Sequence, residues 1–161
     1  MNRICHKSKF KTLDFLKQAN LQFNIPKLFS FLVQEYKKKD FELVVNKLKL
    51  LRSNNIVVRS SGEDEDGQSK SSAGEYISIL NVPIDNPDKI REAINAVIAS
   101  YKNKRPILPE DEIIIQEMVQ NTSMSGVLFT HDLNTGAPYY VINYDDQSGL
   151  TDTVTSGDSE Y

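Results

Sequence analysis

Apolar residues recur with helical spacing in several parts of this chain, and one of these patterns is clearer than the others. Asn86 and Pro87 suit the N-cap and the first turn of a helix. The residues after them repeat every three or four positions, as one helix face requires: Ile90, Ala93, Ile94, Val97, Ile98 and Tyr101. The pattern therefore predicts a long helix that ends before Pro106.

Two shorter helices are predicted nearer the start of the chain. The first covers residues 12–20 with Thr12 as a possible N-cap, and its apolar positions are Leu13, Phe15, Leu16 and Ala19. The second follows Asp40, which suits an N-cap, and its apolar stripe is Phe41, Val44, Val45, Leu48 and Leu51. Pro26 breaks the helical pattern between the two segments.

Short runs of apolar and β-branched residues predict strands. They are residues 27–33, the run from Ile56 to Arg59, and residues 75–82, 112–119, 124–130, 137–144 and 149–157, with a hairpin turn at 132–136. Helices and strands alternate at first and strands dominate the last part, which favours an α+β fold with a mixed or antiparallel sheet and packed helices. We expect two sub-lobes, residues 1–107 and residues 108–161.

Composition and charge exclude several classes of function. A net charge of -3, without a basic stripe interleaved with aromatic residues, argues against nucleic-acid binding. Cys5 is the only cysteine, so the chain can form neither an internal disulfide nor a cysteine metal cluster. No run is long enough to cross a bilayer, and the first residues lack the apolar core of a signal peptide. We therefore expect a cytosolic protein without a membrane partner.

The candidate chemistry is concentrated where a β-branched run delivers Arg59 to the mouth of a loop, followed by Ser60, Ser61 and Gly62. A guanidinium group binds two phosphate oxygens at once, and small residues let backbone amides approach an anion. The segment is therefore a candidate phosphate-binding loop. On composition alone, an ordinary exposed polar loop after a strand explains the same residues.

Three segments, in order along the chain, resemble motifs of phosphoenolpyruvate synthase and pyruvate phosphate dikinase. Residues 59–74 resemble R-S-S-x-x-x-E-D-x-x-x-x-S-x-A-G, and Glu65 and Asp66 match its E-D pair. Residues 115–119 resemble V-Q-x-M-V, and residues 125–136 resemble S-G-V-x-F-T-x-D-P-x-T-G. Three motifs in the right order are far more specific than any one of them alone.

This resemblance implies an ATP-grasp-like nucleotide-binding domain that is incomplete at its C-terminus. In this family the domain uses ATP to phosphorylate a swinging histidine domain, and the phosphate then passes to pyruvate or another acceptor. The implied cofactors are ATP and Mg²⁺, with the magnesium ligands mostly outside this chain. The implied partners are the phosphohistidine and phosphoenolpyruvate/pyruvate domains of a full-length protein, and the isolated fragment is expected to be inactive.

The resemblance also implies which residues contact the phosphates of ATP. Arg59 corresponds to the arginine that holds the polyphosphate and stabilises charge during transfer. Ser78 stands where the family has a threonine near the phosphates, and either hydroxyl can donate the hydrogen bond. Lys9 matches the lysine of an opening G-G-K-x-x-x-L motif, but both glycines are missing, so Lys7 and Lys11 remain alternatives.

The segment Gln116, Glu117, Met118 and Val119 corresponds to the hinge between sub-lobes, where backbone groups read the adenine edge. Met118 can pack on the adenine ring, although an isolated methionine at such a position is more often part of a core.

The sequence also departs from the family pattern. Residues 149–152 keep a carboxylate, Asp152, but lose a glycine of the family's G-L-G-E segment, and Leu133 replaces a proline. The altered G-L-G-E segment and the glycines missing before Lys9 favour an alternative function, a degenerate, non-catalytic nucleotide-binding or scaffold module. In that case Lys9 is a solvated lysine, and Glu65 and Asp66 only order their loop.

Overall fold

The computed structural model describes residues 8–19, 22–36, 41–62, 76–132 and 134–148. Within these ranges it contains α-helices and antiparallel strands, which confirms the predicted α+β class. The chain divides into two compact units, Met1–Met118 and Val119–Tyr161. None of the helices in the described ranges is long and apolar enough to cross a membrane.

A four-stranded antiparallel sheet forms the centre of the first unit. Its strands are β1 (Leu28–Leu32), β2 (Asn55–Ser61), β3 (Ser78–Pro83) and β4 (Glu112–Glu117). The spatial order is β1-β4-β2-β3, so β4, late in the sequence, pairs with both β1 and β2. The three isoleucines of β4 are all fully buried, as expected for a central strand covered on both sides.

The core lies on the side of this sheet that faces α2 (Phe41–Leu48) and α3 (Pro87–Lys102). Alternate residues of the strands point into it, because successive side chains of a strand face opposite sides. The strands contribute Ile56, Val58, Val82, Ile113 and Ile115, and the helices contribute Phe41, Val44, Leu48, Ile90, Ala93, Ile94, Val97 and Tyr101. The stripes predicted for these two helices are therefore the buried faces.

The long helix confirms its predicted N-terminus, whereas the first helix does not. In α3 the side chain of Asn86 accepts a hydrogen bond from the amide of Lys89 at 3.0 Å, with Pro87 in the first turn. The first helix, α1, spans Lys9–Gln18 and is capped by Ser8, so the assignment of Thr12 as its N-cap was wrong. The amide of Thr12 instead donates to the carbonyl of Ser8 inside the helix.

The second unit contains a hairpin of β5 (Ser125–Phe129) and β6 (Val141–Asp145). The predicted start of β6 at Ala137 was wrong, because the carbonyl of Ala137 accepts from the amides of Asp132 and Tyr139 and closes the loop. Gly136 has φ of 69°, the left-handed conformation that glycine adopts without strain.

The boundary predicted after residue 107 differs from the division between the two compact units. The pairing of β4 with β1 and β2 joins residues 112–117 to the first unit, which ends at Met118. The proposed cap Asp40, the acidic pair Glu65 and Asp66, and the strand predicted at 149–157 lie outside the described residues.

Candidate functional site

The sheet of the first unit has a second face, opposite α2 and α3, and most of its side chains are polar. We call this the polar face and define it by its polar strand residues, which alternate with the core positions: Ser30, Arg59, Ser61, Ser78, Glu112 and Gln116. Val57 and Ile114 lie among them and are 8% and 0% exposed, so the centre of this face is buried. Three of the predicted site residues, Arg59, Ser78 and Gln116, therefore share one face of one sheet.

Arg59 occupies the middle of the polar face. It pairs across the sheet with Ser78 of β3 on one side and with Ile114 of β4 on the other. Directly opposed residues of an antiparallel ladder project to the same side, which brings the Ser78 hydroxyl next to the arginine. The structure thus places together two of the residues that the resemblance assigned to the phosphates.

The guanidinium group of Arg59 carries an unsatisfied donor. Its Nε is buried and lacks a hydrogen-bond partner in the part of the chain that the structure describes. A buried N–H without an acceptor is unfavourable by about 1–3 kcal/mol, and more when the group is charged. An anionic ligand with several oxygens would supply the acceptor and neutralise the charge.

Gln116 lies on the same face, towards the C-terminal end of β4, whereas Glu112 is at its N-terminal end. It pairs with Val57 of β2 and with Leu28 of β1 and is 9% exposed. An amide side chain can both donate and accept hydrogen bonds, so it suits the edge of a heterocyclic base.

The backbone that follows Gln116 is largely used within the sheet. The amide of Glu117 donates to the carbonyl of Lys27 at 2.9 Å, and the amide of Met118 donates to the carbonyl of Asn55 at 3.0 Å. The Met118 carbonyl accepts from the Ser53 hydroxyl at 3.3 Å. Reading of an adenine edge by this segment therefore has to use groups other than these two amides.

Glu117 has a structural role. Its carboxylate accepts from the amide of Arg52 at 2.6 Å and from the amide of Lys27 at 3.2 Å, which fastens two connecting segments to the end of β4. Val119, the last residue assigned to the hinge, belongs to the second compact unit.

The start of α1 is attached to the polar face, which brings Lys9 to it. The amide of Phe10 donates to the Ser61 hydroxyl at 3.0 Å, and the Ser8 hydroxyl donates to the Glu112 carboxylate at 3.2 Å. Lys9 lies between these two attached residues in the sequence. Four predicted site residues, Lys9, Arg59, Ser78 and Gln116, therefore belong to one side of the sheet.

Ser61 and Glu112 are functional candidates that the sequence reasoning did not assign. Ser61 stands inside the R-S-S motif, where it reads as one more hydroxyl of the loop. Glu112 is four residues before Gln116, so strand alternation places both on one side of β4. An acidic residue directly before three isoleucines of a predicted strand was the available signal.

The third motif, residues 125–136, forms β5 and the loop after it in the second unit. The carboxylate of Asp132 accepts hydrogen bonds from the hydroxyl and the amide of Thr135, both at 2.7 Å. These bonds lower the pKa of Asp132 below its ordinary value. Asp132 therefore orders a turn. This structural role explains the aspartate of the motif, and no contact with a ligand is needed to explain it.

Metal ligands do not assemble in the described ranges, where no group of three or more His, Cys, Asp and Glu residues could hold an ion. An apolar groove of about 520 Å³ lies elsewhere, between β1 and α2, and is lined by Phe31, Tyr36, Leu43, Val44 and Leu50 among others. It is on the core side of the sheet, so it does not contribute to the polar face.

Comparison with known proteins adds one match. The family model described as the AMP/ATP-binding domain of pyruvate phosphate dikinase matches residues 38–159. This range contains all three motif segments and begins after Lys9, so it does not cover the lysine assignment. No curated protein matches the chain.

Proposed function

Because the chain belongs to the AMP/ATP-binding domain family of pyruvate phosphate dikinase, we propose that it is the ATP-binding part of a dikinase-like phosphotransferase. The proposed transferase uses ATP to phosphorylate a swinging histidine domain, as phosphoenolpyruvate synthase and pyruvate phosphate dikinase do. The observation that carries the proposal is the buried, unpartnered Nε of Arg59 on the polar face. We place the reaction in the cytosol.

The polar face suits the phosphates of a nucleotide. Arg59 would bind phosphate oxygens through its guanidinium fork, and Ser78, paired with it across the sheet, would donate its hydroxyl. Lys9, held at the same face by its neighbours in α1, would add a second cation. Positioned cations of this kind stabilise the charge that develops as a phosphoryl group moves.

The adenine would lie towards the other end of β4. The side-chain amide of Gln116 would donate and accept hydrogen bonds at the edge of the base, and the polarisable side chain of Met118 would pack on the ring. Because the amides of Glu117 and Met118 are bonded within the sheet, we assign the backbone reading to the remaining groups of the segment up to Val119.

Magnesium would neutralise phosphate charge during transfer. Within the described ranges, no group of three or more His, Cys, Asp and Glu side chains could hold the ion without the nucleotide. No step is therefore assigned to a magnesium site formed by these residues.

The proposal is tested by comparing two arginine substitutions. Arg59→Met should weaken ATP binding by about ten- to a hundredfold, since a charge-assisted hydrogen bond contributes about 1.5–3 kcal/mol. Arg52→Met is the matched control, because Arg52 is exposed and its amide, not its side chain, bonds to Glu117. Isothermal titration calorimetry measures both affinities, and circular dichroism checks that each variant is folded.

The result that would refute nucleotide binding on the polar face is equal ATP affinity for the wild type and Arg59→Met. Undetectable ATP binding by the wild type would refute the proposal as a whole. AMP serves as a second ligand, because loss of the arginine should weaken ATP more than AMP, which carries fewer phosphates.

A second candidate function is a non-catalytic nucleotide-binding or scaffold module. It is favoured by the sequence before Lys9, where Lys7 and Ser8 stand in place of the family's two glycines. An assay of phosphoryl transfer to histidine distinguishes the two functions. Radiolabelled ATP and a histidine domain of the same family, incubated with the chain, should yield acid-labile phosphohistidine only if the chain catalyses transfer.

A further inference from the structure

Glu112 is the first residue of β4, and its carboxylate joins two other elements of the first unit. One oxygen, Oε1, accepts a hydrogen bond from the hydroxyl of Ser30 on β1 at 2.9 Å. The other oxygen, Oε2, accepts from the hydroxyl of Ser8, the N-cap of α1, at 3.2 Å. A single carboxylate therefore connects a central strand, an edge strand and the start of a helix.

The first turn of α1 is fixed by these contacts. The Ser8 hydroxyl, while donating to Glu112, also accepts from the amide of Lys11 at 3.3 Å, and Ser8 is 1% exposed. The amide of Phe10 donates to the Ser61 hydroxyl on β2. Two side chains of the polar face thus hold the residues on either side of Lys9.

The attachment lies close to Arg59. Ser61 follows Arg59 by two residues on β2, so the two side chains share a face and their Cα atoms are about 7 Å apart. Any loosening of the helix start would displace Lys9 relative to that arginine. A phosphate bound by both cations would then lose one of them.

We propose that Glu112 is a positioning residue for nucleotide binding, acting through Ser8 to hold Lys9 at the polar face beside Arg59. The inference rests on the proposed function, because it names a residue that supports the same site. It also accounts for the missing glycines of the opening motif: a buried serine anchored by a carboxylate replaces a flexible glycine pair. The hydrogen bond between Ser8 and Glu112 fixes the start of the helix through side chains. Glycines would instead let the backbone there adopt conformations that other residues disfavour.

A carboxylate suits this role because two hydroxyls from different elements must be accepted at once. Its negative charge is also favourable near the N-terminus of α1, where the helix dipole is positive. Glutamine keeps one acceptor oxygen, and its NH₂ group can donate to a hydroxyl, so it should preserve part of the bridge. Alanine removes the bridge.

The test is a double-mutant cycle between Glu112 and Lys9, with ATP affinity as the measured quantity. Lys9→Met and Glu112→Ala should each weaken ATP binding by about tenfold, the size of one charge-assisted hydrogen bond. Glu112→Ala should change the affinity less than about twofold when Lys9→Met is already present, because the carboxylate acts through the lysine. Glu112→Gln should retain part of the affinity that Glu112→Ala loses, because part of the bridge remains.

Three controls separate this role from a purely structural one. Ser30→Ala removes one arm of the bridge with a smaller risk of unfolding and should show the same dependence on Lys9. Lys17→Met removes an exposed cation from the other end of α1 and should leave ATP affinity unchanged. Circular dichroism confirms that each variant is folded.

The inference would be overturned if Glu112→Ala weakened ATP binding equally in the wild-type and the Lys9→Met background. It would also be overturned if Glu112→Ala did not weaken ATP binding at all. Tighter ATP binding by Glu112→Ala would also overturn it, since the carboxylate would then act by repelling phosphate. In each of these cases wild-type ATP binding stands, so the proposed function survives. A wild type that binds no ATP would overturn both.

Discussion

The hydroxyl of Tyr101 is a buried hydrogen-bonding group that ties α3 to the sheet beside the polar face. Tyr101 is 0% exposed; its oxygen accepts from the amide of Ser61 at 2.8 Å and donates to the carbonyl of Glu112 at 3.0 Å. The same two residues anchor α1 through their side chains. The ends of β2 and β4 are therefore fixed from both sides of the sheet.

Tyr101→Phe should destabilise the first unit without changing its packing volume appreciably. It leaves a buried amide and a buried carbonyl without their partner, which costs about 1–3 kcal/mol in the free energy of unfolding. Chemical denaturation measures the change, with Tyr139→Phe as the control, because Tyr139 is 70% exposed. A loss below about 0.5 kcal/mol would show that water or another group replaces the hydroxyl.

At the residue scale, the sequence predicted Arg59 and Lys9 as cations of the proposed site, but not the contacts that hold the start of α1 at the sheet. Arg59, Ser78 and Gln116 could be selected because each stands in or beside a recognisable local segment. The contact of Ser8 with Glu112 joins residues 104 positions apart, so it follows only from the tertiary structure. The cap of α1 is a local contact between Ser8 and Lys11, and it was missed because the apolar pattern of this helix was counted from Leu13.

At the scale of elements, the hairpin of the second unit depends on a glycine. A Cβ atom added to Gly126 would lie 2.7 Å from the backbone oxygen of Asn143 and 3.1 Å from the Cβ of Tyr144 on the paired strand. Real side chains do not approach a backbone oxygen so closely. The glycine of the S-G-V motif is therefore explained by the close approach of β6, without reference to a ligand.

Gly126→Ala should weaken the β5–β6 hairpin, because the strands must separate or shift to accommodate the methyl group. Overpacking of this kind costs about 1–3 kcal/mol, and a two-stranded hairpin is only marginally stable. Amide hydrogen exchange of the hairpin residues should accelerate, while exchange in α3 of the first unit should not. Ser123→Ala, at an exposed position before β5, is the control.

Faster exchange in both units, or in neither, would contradict this account of Gly126.

Local signals were sufficient for some elements and insufficient for others. α3 was predicted with its cap because Asn86, Pro87 and a six-residue stripe agree in one short segment. β6 was predicted too early because Tyr139 and Tyr140 continue an apolar run, although both are largely exposed in the loop before the strand. Hydrogen bonds to the Ala137 carbonyl, which no hydrophobic pattern encodes, decide where that strand begins.

At the scale of the whole molecule, the α+β class followed from the alternation of elements, but the sheet order did not. The nearly continuous apolar strand predicted at 112–119 indicates a covered sheet, and β4 is indeed a central strand. Its neighbours are β1 and β2, which lie far from it in sequence, so hydrophobic periodicity cannot name them. This pairing moves β4 into the first unit and assembles the polar face from distant segments.

The loop after β5 in the second unit should respond to acid. The pKa of Asp132 is lowered, first by the hydroxyl and then by the amide of Thr135, so its folded value lies below the ordinary 3.8. A carboxyl group with a lowered pKa stabilises the fold above its unfolded pKa, and this contribution is lost as the pH falls through the folded value. Acidification below pH 3.8 should therefore loosen the loop after β5.

Nuclear magnetic resonance can follow this titration residue by residue. The amide signals of Asn134 and Thr135, which donate to Asp132, should shift together with a midpoint below 3.8. Asp132→Asn should abolish that common shift, because the amide side chain accepts the same hydrogen bonds without titrating. The Ser61 amide, bonded to Tyr101 in the first unit, is the internal reference and should not follow it. A midpoint at or above 3.8 would show that the Thr135 bonds do not favour the ionised carboxylate in solution.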